Sequence, residues 1–221
     1  MKKLFTCLLL AIASFMATGC AGCQSEKNVQ PKESVNYHDY DGVVQDFTAG
    51  VSHIQAMHRQ TMFMTLGVKE YEWRNTRVIF NDTIDLDALD QLHITDINDV
   101  FYYWSDEKGP QTQYINSNVK QGVQIPWPIN DVWIEDEDMS DSAIKLSCED
   151  ALQRLKEYNG IVPKACFITL RKPVGPLDCN PQWTIGDAYN VLFIDAVTGQ
   201  VRDWCPAFPS SMVNSQKDEI N

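Results

Sequence analysis

Two stretches of this chain carry the turn chemistry of a β-hairpin, and they bound what the rest can fold into. Val100-Phe-Tyr-Tyr-Trp104 and Gln111-Thr-Gln-Tyr-Ile115, rich in aromatic and β-branched residues, flank Asp106-Glu-Lys-Gly109-Pro110. Near the C-terminus Val191-Leu-Phe-Ile194 is apolar on both faces and runs into Asp195, then through Thr198 and Gly199 into Val201. Runs of that composition, punctuated by Gly, Asp and Pro, are strands joined by short turns. The middle of the chain and its C-terminal part therefore read as antiparallel sheet.

Helical patterns interleave with these strands. Val44, Phe47, Val51, Ile54, Met57 and Met62 recur at helical spacing and Gly67 is a stop, so 43–65 reads as an amphipathic helix. Ser147 is an N-cap with Asp150 three residues on; Ala151, Leu152, Leu155 and Tyr158 share one face, and Asn159-Gly160 followed by Pro163 ends that helix. Further strands are expected over 69–80, which ends in Arg77-Val-Ile-Phe80, and over Ala165-Cys-Phe-Ile-Thr-Leu170. A Pro/Gly loop over 173–181 precedes one long strand from Trp183 to Asp195, whose apolar end should be central and buried. The expected fold class is α+β, with helices packed on an antiparallel β-sheet.

A helix, a strand, a loop and an apolar strand ending in Asp-x-x-Thr-Gly-x-Val resembles the PepSY domain of bacterial envelope proteins. The resemblance covers 145–204 and is carried by Phe193, Asp195, Thr198, Gly199 and Val201. It implies a PepSY-like α+β unit over 147–205 and a binding role associated with inhibition or regulation of peptidases. The first half has the same element order, so a second, degenerate unit is expected over 43–120. The connector would be 121–146, stiffened by Ile125-Pro-Trp-Pro, with Trp127 and Trp133 packing at the junction. Asp195 and Gly199 have structural reasons to stand in the turn: the carboxylate can accept hydrogen bonds from amides further along, and glycine tolerates positive φ.

Residues 1–19 combine a basic start, an apolar run too short to span a bilayer and a small-residue site, the layout of a secretory signal. Ala17-Thr18-Gly19-Cys20 resembles the lipobox of bacterial lipoproteins, which implies lipidation at Cys20. Residues 20–42 then read as a polar tether and 206–221 as a polar tail. The expected address is the cell envelope of a Gram-negative-type bacterium, periplasmic or at the outer surface, with the N-terminal lipid as the membrane contact. A formal charge of −12 argues against nucleic acid as a partner, because an acidic chain repels phosphate backbones.

No closely spaced constellation announces chemistry. The four histidines are His38, His53, His58 and His93. His53 and His58, five apart, do not share a helix face, and each of the four reads as a core or surface residue. The acidic runs Asp82, Asp85, Asp87, Asp90 and Glu135-Asp-Glu-Asp138 lack the glycine and terminal glutamate of an EF-hand and read as solvated loops, so no metal and no cofactor is expected. There is no Gly-x-Ser-x-Gly elbow, although triads are defined by geometry and distant residues can converge, with Cys166 and His93 one such pairing. Cys148, Cys166, Cys179 and Cys205 are an even set in a chain bound for an oxidising compartment. Three pairings are open; a shared sheet edge favours Cys179 with Cys205, leaving Cys148 with Cys166, and free thiols are the alternative. The expected function is non-catalytic binding of a peptide, protein or small ligand, with a hydrolase built from distant residues or a structural subunit of a surface complex as alternatives.

Overall fold

A computed structural model describes residues 35–37, 50–186 and 190–209, all within one unit, Ser34–Asn221. The expected signal sequence, Cys20, most of the expected tether, residues 43–49 and the tail from 210 lie outside the described residues, and the helix expected over 43–65 begins at Val51 with Gly50 as its N-cap. In chain order the elements are β1 (Val35–Tyr37), α1 (Val51–Met64), β2 (Glu72–Phe80), β3 (Ile94–Ser105), β4 (Gly109–Asn118), β5 (Gly122–Ile125) and β6 (Asp136–Glu137), followed by α2 (Cys148–Lys156), β7 (Phe167–Pro173), β8 (Gln182–Gly186), β9 (Val191–Asp195) and β10 (Val201–Arg202).

Among the described residues nine strands form an antiparallel sheet in the order β1-β5-β4-β3-β2-β7-β8-β9-β10, and β6 pairs with the far end of β7. The first strand after each helix lies at the middle, β2 against β7, in a register running from Asn75↔Arg171 to Ile79↔Phe167. The sheet then grows outward on both sides by antiparallel neighbours. The fold is α+β and mostly sheet.

Cross-strand rows separate the two faces. Ile115, Asp99, Thr76, Leu170, Trp183 and Ile194 are successive partners across the sheet and all are buried. Both described α-helices cover this face. α1 turns Val51, Ile54, Gln55, His58, Thr61 and Met62 inward, and α2 turns in Cys148, Ala151, Leu152 and Leu155. Spacings of three and four residues place each set on one stripe. The α2 start carries a reciprocal capping box, in which Ser147 Oγ accepts from the Asp150 amide at 3.1 Å and Asp150 accepts from the Ser147 amide at 3.0 Å. The adjacent row, Asn116, Asn98, Arg77, Thr169, Thr184 and Phe193, points to the other face, because successive side chains of a strand alternate.

Several sequence expectations are corrected. The single strand from Trp183 to Asp195 is two strands, β8 and β9, paired from Gln182↔Asp195 to Gly186↔Val191. Gly186 makes the reversal possible: its φ is 127°, and a Cβ there would run into the Asn190 carbonyl. β9 is buried at Leu192, Phe193 and Ile194 yet stands next to the sheet edge, not at its centre. The connector contributes β5 and β6, and its Trp127 is 53 % exposed instead of packed at a junction. Residues 35–37, expected to be tether, pair with β5. Among the described residues no helix is long and apolar enough to cross a membrane.

Candidate functional site

Two constellations stand out, one on each face of the sheet. On the covered face His58 Nδ1 lies 2.6 Å from Asp99 Oδ2, and its Nε2 lies 2.7 Å from Ser117 Oγ. A neutral ring with its proton on Nδ1 donates to the carboxylate and accepts from the hydroxyl, the connectivity of a serine hydrolase. All three side chains are 0 % exposed. Asp99 also accepts from Trp73 Nε1 at 3.2 Å and from the Thr76 hydroxyl, and Thr76 Oγ1 accepts from Gln55 Nε2 at 3.2 Å. A register shift in β2 between Trp73 and Asn75 turns the indole toward this cluster, a use to which β-bulges are often put. Each polar group inside is hydrogen-bonded, as burial demands, and the network ties α1 to β2, β3 and β4. The Ser117 hydroxyl is buried with its partners.

On the face that neither described helix covers, the bare face, a groove of about 780 Å³ opens over the β2–β7 seam; Arg77 is exposed there, whereas Thr169, Thr184 and Phe193 are buried. Its floor is Asn75, Arg77, Asn98, Thr169, Arg171 and Thr184. One wall is the connector, where Trp133 stacks edge-on against Tyr114 with ring centroids 6.3 Å apart and Glu135 stands beside them. Burial, then Glu135, then Asp131 raise the Tyr114 hydroxyl above its usual range, so it stays a neutral donor. The connector also exposes Val132 and, at 77 %, Ile134.

Asp136 fastens that wall to the floor. Its carboxylate is buried and accepts from Asn75 Nδ2 at 2.9 Å and Trp133 Nε1 at 3.1 Å, while Arg171 pairs with it at 3.5 Å. Burial pushes its pKa up, against the lowering pull of Asn75, Arg171 and Trp133. Asn75 and Arg171 are thus committed within the protein. Arg77 is not: its guanidinium lies over the Phe167 ring, 4.8 Å from the centroid, and meets no carboxylate among the described residues. The floor therefore presents one uncommitted cation, with Glu135 as the anion of the opposite wall.

The residues singled out by sequence lie elsewhere. Asp195, 5 % exposed, accepts from the amides of Val197 at 2.9 Å and Thr198 at 2.8 Å and from Asn180 Nδ2, and Gly199 has φ 77°. Cys148, Cys166, Cys179 and Cys205 are all free thiols, and neither expected bridge is formed. Cys148 is buried and Cys166 exposed, so their side chains point into different surroundings. Cys179 and Cys205 are near neighbours: burial first, then Cys205, pushes the Cys179 thiol up to about 11. Cys166 and His93 flank the end of β2 through backbone bonds to Phe80 and Asn81, each 2.9 Å, which puts them two strand spacings, roughly 10 Å, apart; they form no catalytic pair. His53 is exposed on α1, and His38 lies outside the described residues. Among the described residues no group of three or more His, Cys, Asp and Glu side chains could hold a metal ion.

Sequence reasoning missed both constellations. Residues 58, 99 and 117 come from three elements, and only their polar character at buried positions of helical or alternating pattern hinted at a shared network. Arg77 was legible as part of a strand, but its bare face depends on where both helices dock. Searches against protein-family models, curated proteins and solved structures find no match for this chain.

Proposed function

We propose that this chain is a lipid-anchored envelope protein that docks a polypeptide partner on the bare face of its sheet and performs no chemistry on it. The observation that carries this reading is the groove over the β2–β7 seam, whose central arginine lacks a carboxylate partner among the described residues. Tyr, Trp and Arg are the residue types that dominate binding energy at protein interfaces, and Tyr114, Trp133 and Arg77 meet here. The order helix then four strands, present on each side of the seam, supports a tandem of PepSY-like units facing one way. Lipidation at Cys20, suggested by Ala17-Thr18-Gly19-Cys20, would hold the domain at a membrane and leave the sheet free to meet a partner such as a peptidase.

Phage-displayed peptides selected on the wild-type chain test the docking face. Clones should lose binding to the Asn98→Arg/Val191→Arg variant, whose long side chains enter the groove from half-buried positions, while its thermal midpoint stays within a few degrees. Clones that bind both proteins equally would contradict the proposal. The His58–Asp99–Ser117 distances favour a second reading, hydrolysis at Ser117. Labelling of Ser117 by a fluorophosphonate would establish that reading in place of simple docking; burial of all three groups predicts none.

A further inference from the structure

We infer that the docked partner presents an aspartate or glutamate beside an apolar side chain, and that Arg77 receives its carboxylate; this rests on the docking reading above. The chain has 30 acidic against 18 basic residues, so carboxylates are plentiful. Arg74, Arg154 and Arg171 each pair with one, whereas Arg59 and Arg202 stack on Trp73 and Trp204, away from the groove that Arg77 lines. Arg77 pairs with none among the described residues, although it is exposed at the seam of the two central strands. Its partner is the Phe167 ring, 4.8 Å from the guanidinium carbon. Stacking of this kind fixes the plane of the guanidinium while its N–H donors stay available in the fork geometry that matches a carboxylate. Asn98 and Thr169 are its direct cross-strand neighbours and add neutral hydrogen-bonding groups.

The rest of the groove decides what carries that carboxylate. At about 780 Å³ the space far exceeds one small anion, and Ile79, Val100 and Val191 line it together with the rings of Tyr114, Trp133 and Phe167. Glu135, which lines the same groove, repels a second negative charge on that wall. Arg171 adds little attraction because Asp136 neutralises it at 3.5 Å. One cation, one opposing anion and apolar surface between them suit a single acidic side chain flanked by apolar residues, as on a protein loop, and not a multiply charged phosphate.

The test is an NMR titration of ¹⁵N-labelled full-length chain with three blocked pentapeptides, acetyl-Gly-Phe-X-Phe-Gly-amide, where X is Glu, Gln or Lys, and with sodium acetate. The Glu peptide should shift the Arg77 Nε–H and the amides of Thr169 and Thr184, and bind at least about tenfold more tightly than the Gln peptide, with the Lys peptide weakest. Arg77→Gln should erase the difference between Glu and Gln, and Arg77→Lys should retain part of it. Both variants should fold, since this side chain is exposed. Equal binding of the Glu and Gln peptides at the groove would overturn the carboxylate inference and leave the docking face standing. Failure of all three to perturb the groove would overturn both. Acetate binding as tightly as the Glu peptide would overturn the polypeptide occupant.

Discussion

Asp195 is held by opposing influences that can be separated in solution. Burial pushes its pKa up, but hydrogen bonds from the Thr198 amide, Asn180 and the Val197 amide outweigh that and leave it below 3.8, its ordinary value. A carboxyl depressed in the folded state contributes stability that is whole above its unfolded pKa and lost as pH falls through the folded one. Asp195→Ala should therefore cost on the order of 1–3 kcal/mol at pH 7, shrinking as the pH drops below the ordinary carboxylate range, with Asp195→Asn milder; denaturant melts at pH 7 and pH 3 check it. Gly199→Val should cost about 1–3 kcal/mol through the positive φ, and its Cβ would also press on Arg154 Nε at 2.9 Å. His58 is a sterner case. His58→Ala strands Asp99 and Ser117 in the core, and the loss should be on the order of 3 kcal/mol or more, read as a fall in the urea midpoint. That turn residues were legible and the triad was not has a physical reason: Asp195 and its amide partners are two and three residues apart, whereas 41 and 59 residues separate His58 from Asp99 and Ser117.

At the scale of elements, local signals were readable wherever the chain closes its own hydrogen bonds nearby. Ser147 and Asp150 announce α2, and Ser147→Ala should cost about 1 kcal/mol, which a thermal melt at neutral pH measures. The β3–β4 hairpin was legible from Asp106 to Pro110 because turn chemistry is local. The β8–β9 hairpin was not, since both strands are apolar and Gly186 reads equally well as a glycine within a strand. Reading Trp183–Asp195 as one strand also hid the antiparallel continuation beyond β7 and made β9 look central. The connector was misread for a related reason: β5 is only four residues, Gly122–Ile125, and it is a strand because β4 and β1 flank it. Tertiary context of this kind overrides propensity at short elements.

For the molecule as a whole, the central consequence of the topology is one-sidedness. Both helices pack on the Thr76–Leu170 face, and the β2–β7 seam carries Arg77, Phe167 and Thr169 to the other. The α+β class was legible from alternating hairpin and helix signals, but no sequence pattern specifies which sheet face stays bare, because that follows from long-range docking of α1 and α2. A rival surface lies on the outer side of α1, where Phe63 and Met64 are exposed. Hydroxyl-radical footprinting of the chain, free and saturated with a selected peptide, compares the two directly, since aromatic and sulfur side chains report their own solvent contact. Docking on the bare face predicts loss of oxidation at Tyr114, Trp133 and Phe167 with Phe63 and Met64 unchanged. Protection at Phe63 and Met64, with Tyr114, Trp133 and Phe167 oxidised as in the free chain, would contradict it.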